Sequence, residues 1–418
     1  MVSTMPKPTA SPLFVVPIVW AFLGSMGPFA SADDWPHWRG PTHDGVSRET
    51  DWTTDWGSEG PKQVWKTNVG TGFSSFAVAD GLLYTAGHLG GLDTVVCLSA
   101  ETGKPIWHYT YAAPLVDNLH EGGPAATPTV DGERVYTLSK DGQLYCLHAQ
   151  TGNVLWSQGI TPLTGVAMPQ WGFSCSALVH ENMLVLEVGC TVALDKRTGE
   201  LIWKTAPYNP GYGSPAPCTV DGSACVAVLN NEALLLVRLS DGKVLASHAW
   251  TTDYDTSSTT PIVVGDTVFI STGYKRGCAL LKLNGDKFDV VYENRSMSNH
   301  MANCVLEGGC LYGFDGNSHN SRLVSLVCMD YATGDVKWSQ RGLGCGSIML
   351  AGGKLLALSD EGELACIAAD PSGYHEIARA KVIDGRCWTV PVLAGGRVYC
   401  RTAAGDVVCV DLRTSSGL

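Results

Sequence analysis

Leu144–Trp156 reads LYCLHAQTGNVLW, and the chain repeats that phrase. It returns as VVCLSAETGKPIW at Val95–Trp107, TVALDKRTGELIW at Thr191–Trp203 and LVCMDYATGDVKW at Leu326–Trp338, the last with a one-residue slip at its start. Weaker copies follow Leu236, Glu363 and Val407. Recurrence at this spacing marks stacked supersecondary units. Within a unit the alternating run is a strand, Thr-Gly is a tight turn whose glycine takes positive φ, and a second strand ends on Trp. An indole can fill the space between neighbouring sheets, so each unit is completed by the next.

A hairpin precedes each copy, as in ATPTVDGERVYTL at Ala126 and STTPIVVGDTVFIS at Ser258. Eight units begin near residues 74, 126, 175, 215, 258, 302, 346 and 389. Each holds two hairpins, hence four strands in up-and-down order. The pattern predicts an all-β fold, an eight-bladed β-propeller of four-stranded antiparallel blades. The eighth unit stops at Val407–Leu412 without its Trp strand, while Gln63-Val64-Trp65-Lys66 matches Leu201-Ile202-Trp203-Lys204. The N-terminal strand is therefore expected to be the outer edge of the last blade, closing the ring. A linear solenoid would have no use for such a split unit. The propeller is assigned to residues 63–418 and an extended segment to 33–62, packed over one face with Trp38 or Trp52 as anchors. The Trp position holds Ala246, Tyr292 and Ile377 in units four, five and seven, which are expected to hold their outer strands less firmly.

Formal net charge is −12. An acidic surface of that size excludes nucleic acid or anionic lipid as the main partner, because phosphate binding needs clustered Lys and Arg. Residues 1–32 read as an export signal: Lys7, the apolar run Leu13–Leu23, and an A-x-A cleavage site ending at Ala32. The apolar run is interrupted by Pro17 and is shorter than a membrane span requires, so the mature chain is expected to be periplasmic or secreted with no membrane span. Fifteen cysteines in an exported chain suggest a disulfide frame. Yet Cys97, Cys146, Cys328, Cys366 and Cys409 share one place in the repeated strand, which reads as a small buried position. Cys218 with Cys225, and Cys345 with Cys387, remain candidate pairs.

The repeated unit resembles the pyrroloquinoline quinone repeat, shared by quinoprotein dehydrogenases and by the propeller of an outer-membrane assembly lipoprotein. The resemblance covers roughly residues 34–412. DWPHWRGPTHDGVS near the start, STGYKRGCALLKL at Ser271 and MSNHMANCVLEGGCLYGF at Met297 are similar to a group of secreted bacterial propellers. For a dehydrogenase the resemblance implies adjacent cysteines over the cofactor, acidic and amide calcium ligands and an Asp base. No two cysteines are adjacent here, the calcium ligands have no recognisable motif, and C-x-x-C-H, G-x-S-x-G, H-E-x-x-H and Walker-type loops are absent. The assembly lipoprotein carries an anchoring cysteine that this chain lacks near its signal.

In a four-stranded meander the turns within hairpins share one face, and the longer loops share the other, where function is expected. The approaches to the inner strands carry His120 with Glu121, Trp171, Tyr212, Asn299 with His300, and Arg386 with Trp388. Aromatics, a guanidinium and imidazoles around a concavity suit a planar anionic ligand. The simpler alternative is that the two indoles plug the channel and the polar residues are solvated. His88, Asp315, Asn317 and His319 also fall on that face, but the sequence assigns no metal site and no catalytic residue. The sequence thus points to an exported, non-catalytic propeller of scaffold or assembly type. It would bind a protein or small ligand in the cell envelope on its long-loop face, without a cofactor. The alternative is a dehydrogenase acting on an alcohol or sugar with pyrroloquinoline quinone and calcium, Arg386, Trp388 and Trp171 lying nearest the cofactor.

Overall fold

The repeated strands assemble, in the computed structural model, into eight antiparallel sheets arranged as a ring. The structure describes Met1 and residues 34–414, so the export signal assigned to residues 1–32 lies outside the described residues apart from Met1. Blade one shows the plan: Ala77–Ala79 nearest the axis, then Leu82–Leu89, Leu92–Ser99 and Pro105–Tyr111 outward. Blade eight is the split one. Lys62–Asn68 pairs antiparallel with Asp406–Asp411, placing Trp65 opposite Cys409 as its outermost strand.

The indoles act between blades. Trp107 donates its N–H to the Ala149 carbonyl of the next blade at 2.7 Å, and Trp65, Trp156, Trp203 and Trp338 repeat that bond onto Ala100, Lys196, Leu239 and Asp370. Each of the first four rings lies on a glycine. A Cβ at Gly152 would sit 2.6 Å from the Trp107 ring, and Gly103, Gly199 and Gly242 are covered likewise by Trp65, Trp156 and Trp203. Burying an indole contributes roughly 4 kcal/mol against about 1 for its hydrogen bond, so packing dominates and the bond sets the angle. The five cysteines of the repeat lie directly opposite this position, where a larger side chain would displace the ring.

Register corrects one assignment. Cys366 faces Ala378, so Ala378 and not Ile377 holds the Trp position of blade seven. The turn joining the two strands is longer there than between Cys97 and Trp107, and the bulge before the position is common to both blades. Blade five keeps an equivalent contact, because the Tyr292 hydroxyl donates to Tyr331 O at 3.0 Å. Beside Ala246 in blade four, Phe288 from blade five packs into the same cluster.

All fifteen cysteines are free, correcting both proposed pairs: Cys218 and Cys225 are cross-strand partners without a bond, and Cys345 and Cys387 are separately buried thiols. Burial pushes Cys218, Cys345 and Cys387 up to about 12, leaving little thiolate to oxidise.

The segment before the ring is a strap across the short-turn end of the channel. Trp35 bridges Val78 of blade one, the Pro36 carbonyl accepts from Val130 of blade two, and Arg39 donates to Cys304 O at the entry to blade six. Val46–Ser47 adds a parallel fifth strand to Ser347–Ala351 of blade seven, and Glu49 accepts from Gly395 and Gly396 of blade eight. The buried anchors are Trp35, Trp52 and Trp56, so Trp52 serves as anticipated. Trp38 instead stays half-buried and turns its N–H to Thr260 at 3.0 Å.

At the seam, the fully buried Arg401 of blade eight donates to Ser74 O, Thr85 Oγ1 and Ala86 O of blade one and to Gly70 O of the connection. Arg401→Met leaves these acceptors unpaired and is expected to cost on the order of 3–5 kcal/mol, read as a lower unfolding midpoint in urea. A midpoint equal to that of the parent protein would show that the seam does not limit stability. Acid tests the strap. His37 and His43 stack at 4.0 Å, and burial lowers their pKa to about 4 and about 3, so both are neutral when folded. An unfolded imidazole titrates near 6.5, so this stabilisation is complete above that pH and falls away as pH drops through about 4. The melting temperature should decline over that window, and His43→Phe should flatten the decline.

Candidate functional site

Each blade is entered two residues before its first paired inner-strand position. Ser75, Thr127, Ser176, Ser214, Thr260 and Asn303 stand there, with Val390 in the eighth blade, while in blade seven Ser347 is itself the first paired residue of a longer inner strand. The N–H of Ser75 bonds Thr127 Oγ1, and the relay passes on through Ser176, Ser214 and Thr260 to Asn303 Oδ1, at 2.9–3.3 Å per link. Side chains of successive blades thereby satisfy backbone donors that no sheet neighbour can reach. On the far side Ser347 Oγ donates to Thr389 O, and Ser75 Oγ donates to Val390 O.

Above this belt the channel widens into a cup of about 360 Å³ that opens on the long-loop face. Trp38 of the strap lines its closed end. Trp171, Tyr212, His300, Arg386 and Trp388 all line it, as the sequence anticipates. On one wall Arg386 lies over Trp388 at 4.6 Å, Trp388 stacks on Phe73 at 5.6 Å, and Phe73 meets His120 edge-on at 5.3 Å. Opposite, Trp171 and Tyr212 meet at 5.8 Å, and Tyr274 abuts His300 at 4.9 Å. Glu121 does not line the cup; it pairs with Arg386 at 3.1 Å and holds the guanidinium over the indole.

Among the anticipated residues Asn299, like Glu121, is absent from the cup lining. It is buried outside the cup, its amide donating to Phe314 O at 2.9 Å and its oxygen accepting from Cys304 Sγ, so it supports the blade-six entry. The other polar loop residues are engaged as well. His88 pairs with Asp93 at 2.7 Å, Asp315 accepts from Ser298 N–H, and Asn317 from Tyr274 N–H. Among the described residues no three His, Cys, Asp or Glu side chains converge as a metal set.

Burial lowers both cup imidazoles, His120 and His300, to about 4, so they are neutral at pH 7. His120 Nδ1 accepts from Gly122 N–H and His300 Nδ1 from Ser318 N–H, which puts each ring's proton on Nε2. The hydroxyls of Ser174 and Ser258 donate to the Tyr212 and His300 carbonyls rather than to a base. The arrangement suits recognition by stacking and selected polar contacts; it presents no activated hydroxyl. Sequence reasoning missed Trp38, Phe73, Tyr274 and Lys140 on the cup wall, together with the Ser/Thr belt. The belt has a signal, a hydroxyl residue before Pro in Thr127-Pro128, Ser214-Pro215 and Thr260-Pro261, visible once the repeat is aligned on its inner strand.

A family model described as outer membrane protein assembly factor BamB matches residues 47–272 and 172–340. The outer membrane protein assembly factor BamB of Escherichia coli (strain K12) is 26% identical over 376 residues, covering 84% of this chain and 88% of its own. The crystal structure of BamB from Moraxella catarrhalis has a TM-score of 0.61 at 16% identity, covering 84% of this chain and 99% of that one. A europium-containing methanol dehydrogenase has a TM-score of 0.69 at 10% identity, covering 89% and 90%, a likeness of fold alone.

Proposed function

Because the chain belongs to the outer membrane protein assembly factor BamB family, we propose that it is a non-catalytic assembly propeller that docks a protein of the cell envelope on its long-loop face. The observation that carries this reading is the rim of the cup. Leu119, Met168, Tyr254 and Leu323, from four separate loops, stand exposed on that face. Water-exposed apolar side chains grouped around a concavity mark a contact surface rather than a solvated edge. The net charge of −12 favours a protein partner over a phosphate-bearing one. Export, with cleavage after Ala32 and residence in the periplasm or outside the cell, belongs to the same proposal. Trp171, Tyr212, His300, Arg386 and Trp388 form the ligand recess within the docking face.

The dehydrogenase reading draws on the aromatic and cationic cup at the ring axis. A planar quinone could stack on Trp388 beside Arg386. The calcium that such chemistry uses finds no converging acidic set among the described residues, and the Asn299 amide is already committed. The residues present therefore do not fit the quinone–calcium pair.

Two experiments test these readings. Photo-cross-linkers at Leu119 and Leu323 should capture the same component of the outer-membrane assembly machinery, whereas one at Glu133 on the short-turn face should not. The double variant Leu119→Glu/Leu323→Glu should weaken capture about tenfold or more. Equal capture from both faces would overturn the docking assignment. Incubation with pyrroloquinoline quinone and calcium should give neither stoichiometric quinone absorbance nor dye reduction with alcohols or sugars; turnover would restore the enzyme reading.

A further inference from the structure

Lys140 is the feature of the cup that recognition by stacking leaves unused. It follows the second strand of blade two, Arg134–Leu138, and lines the cup with only 2% of its surface exposed. Among the described residues its ammonium makes no hydrogen bond and no ion pair, although a buried Lys is ordinarily paired. Its stem is held in place: a Cβ at Gly172 would lie 2.6, 2.9 and 3.0 Å from its Cβ, Cγ and Cδ, so only glycine there lets the chain pass over it. Burial opposes the ammonium, and one charged group, Asp93, favours it. Asp93 is already bonded to His88 through one oxygen. Burial outweighs the carboxylate and brings the amine down from 10.5 to about 8. At neutral pH that raises the free-amine fraction roughly 300-fold over an exposed lysine.

We propose that Lys140 is a nucleophilic amine that captures a small aromatic aldehyde in the cup as an imine. The unpartnered buried amine, the cup of about 360 Å³ and the aromatic walls at Trp171, Phe73 and Trp388 carry the assignment. The chemistry balances without a redox partner. The Nζ lone pair attacks the carbonyl carbon, the carbonyl oxygen takes up protons, and the carbinolamine loses water to leave a C=N bond. An apolar recess favours that dehydration, and His120 lies close enough to the amine to feel its charge. A carboxylate ligand is the competing occupant, since an amine titrating near 8 is still mostly ammonium at neutral pH; such a ligand would leave no adduct on reduction.

This inference rests on the cup being a ligand site, and the test separates the two. The full mature chain is titrated calorimetrically with 2-naphthalenemethanol, which has no carbonyl, and treated in parallel with 2-naphthaldehyde and cyanoborohydride before peptide mass mapping. Saturable binding of the alcohol supports the cup alone. A reduced adduct on Lys140, at least about tenfold above that on any exposed lysine, supports the imine. Lys140→Met and Lys140→Arg should abolish the adduct while the alcohol still binds; Lys140→Arg keeps the positive charge and guards against a general loss of fold. Alcohol binding with labelling spread over surface lysines would overturn the lysine assignment and leave the cup. Loss of both would overturn both.

Discussion

A ring of sheets must meet itself, and the join is held by one buried cation. The Arg401 guanidinium lies in the seam between the last blade and the first, surrounded by four oxygen acceptors from the other side. Burial brings its pKa down to about 9, so it remains cationic at neutral pH because those oxygens replace its water. Every other blade interface joins consecutive pieces of chain and gains from short connections. The seam joins residues more than three hundred positions apart and has to offset a correspondingly large loss of chain freedom. The strand Lys62–Asn68 and Trp65 reinforce it from the outside, and Arg401 locks it near the axis.

Much of this architecture was legible because it repeats. Thr-Gly and Trp recur together for a single mechanical reason: the ring of one blade lies over the glycine of the next. The split blade was legible for the same reason, since Trp65 has no strand of its own blade to precede it. What the repeat could not disclose was the frame after a longer turn. Ile377 stands next to the true position, Ala378, and a one-residue shift exchanges a half-buried side chain for an exposed one. The strap was legible only as irregular sequence, because its bonds run to six different blades and leave no local period.

The cup was read more coarsely. Large aromatic residues and arginine on long loops are conspicuous, so Trp171, Trp388 and Arg386 were found. Asn299 and His300 are sequence neighbours, yet one turns into the blade and the other into the cavity, a distinction set by backbone direction rather than composition. Lys140 was missed because a lysine beside Asp141 and Gly142 reads as a solvated turn. Only the packing of Phe173 and Gly172 against it turns that side chain inward.

The strap has a consequence in time. Residues 34–68 emerge early during synthesis, yet the surfaces they bind include the last sheet, which does not exist until the chain is nearly finished. Trp52, which bridges Arg413, must therefore wait while the sheets stack. Completion is one late event that fits the floor of the cup, the final outer strand and the join together. An unfinished polypeptide thus displays a sticky indole and an unpaired strand, which favours escort by a holding chaperone until the tail arrives.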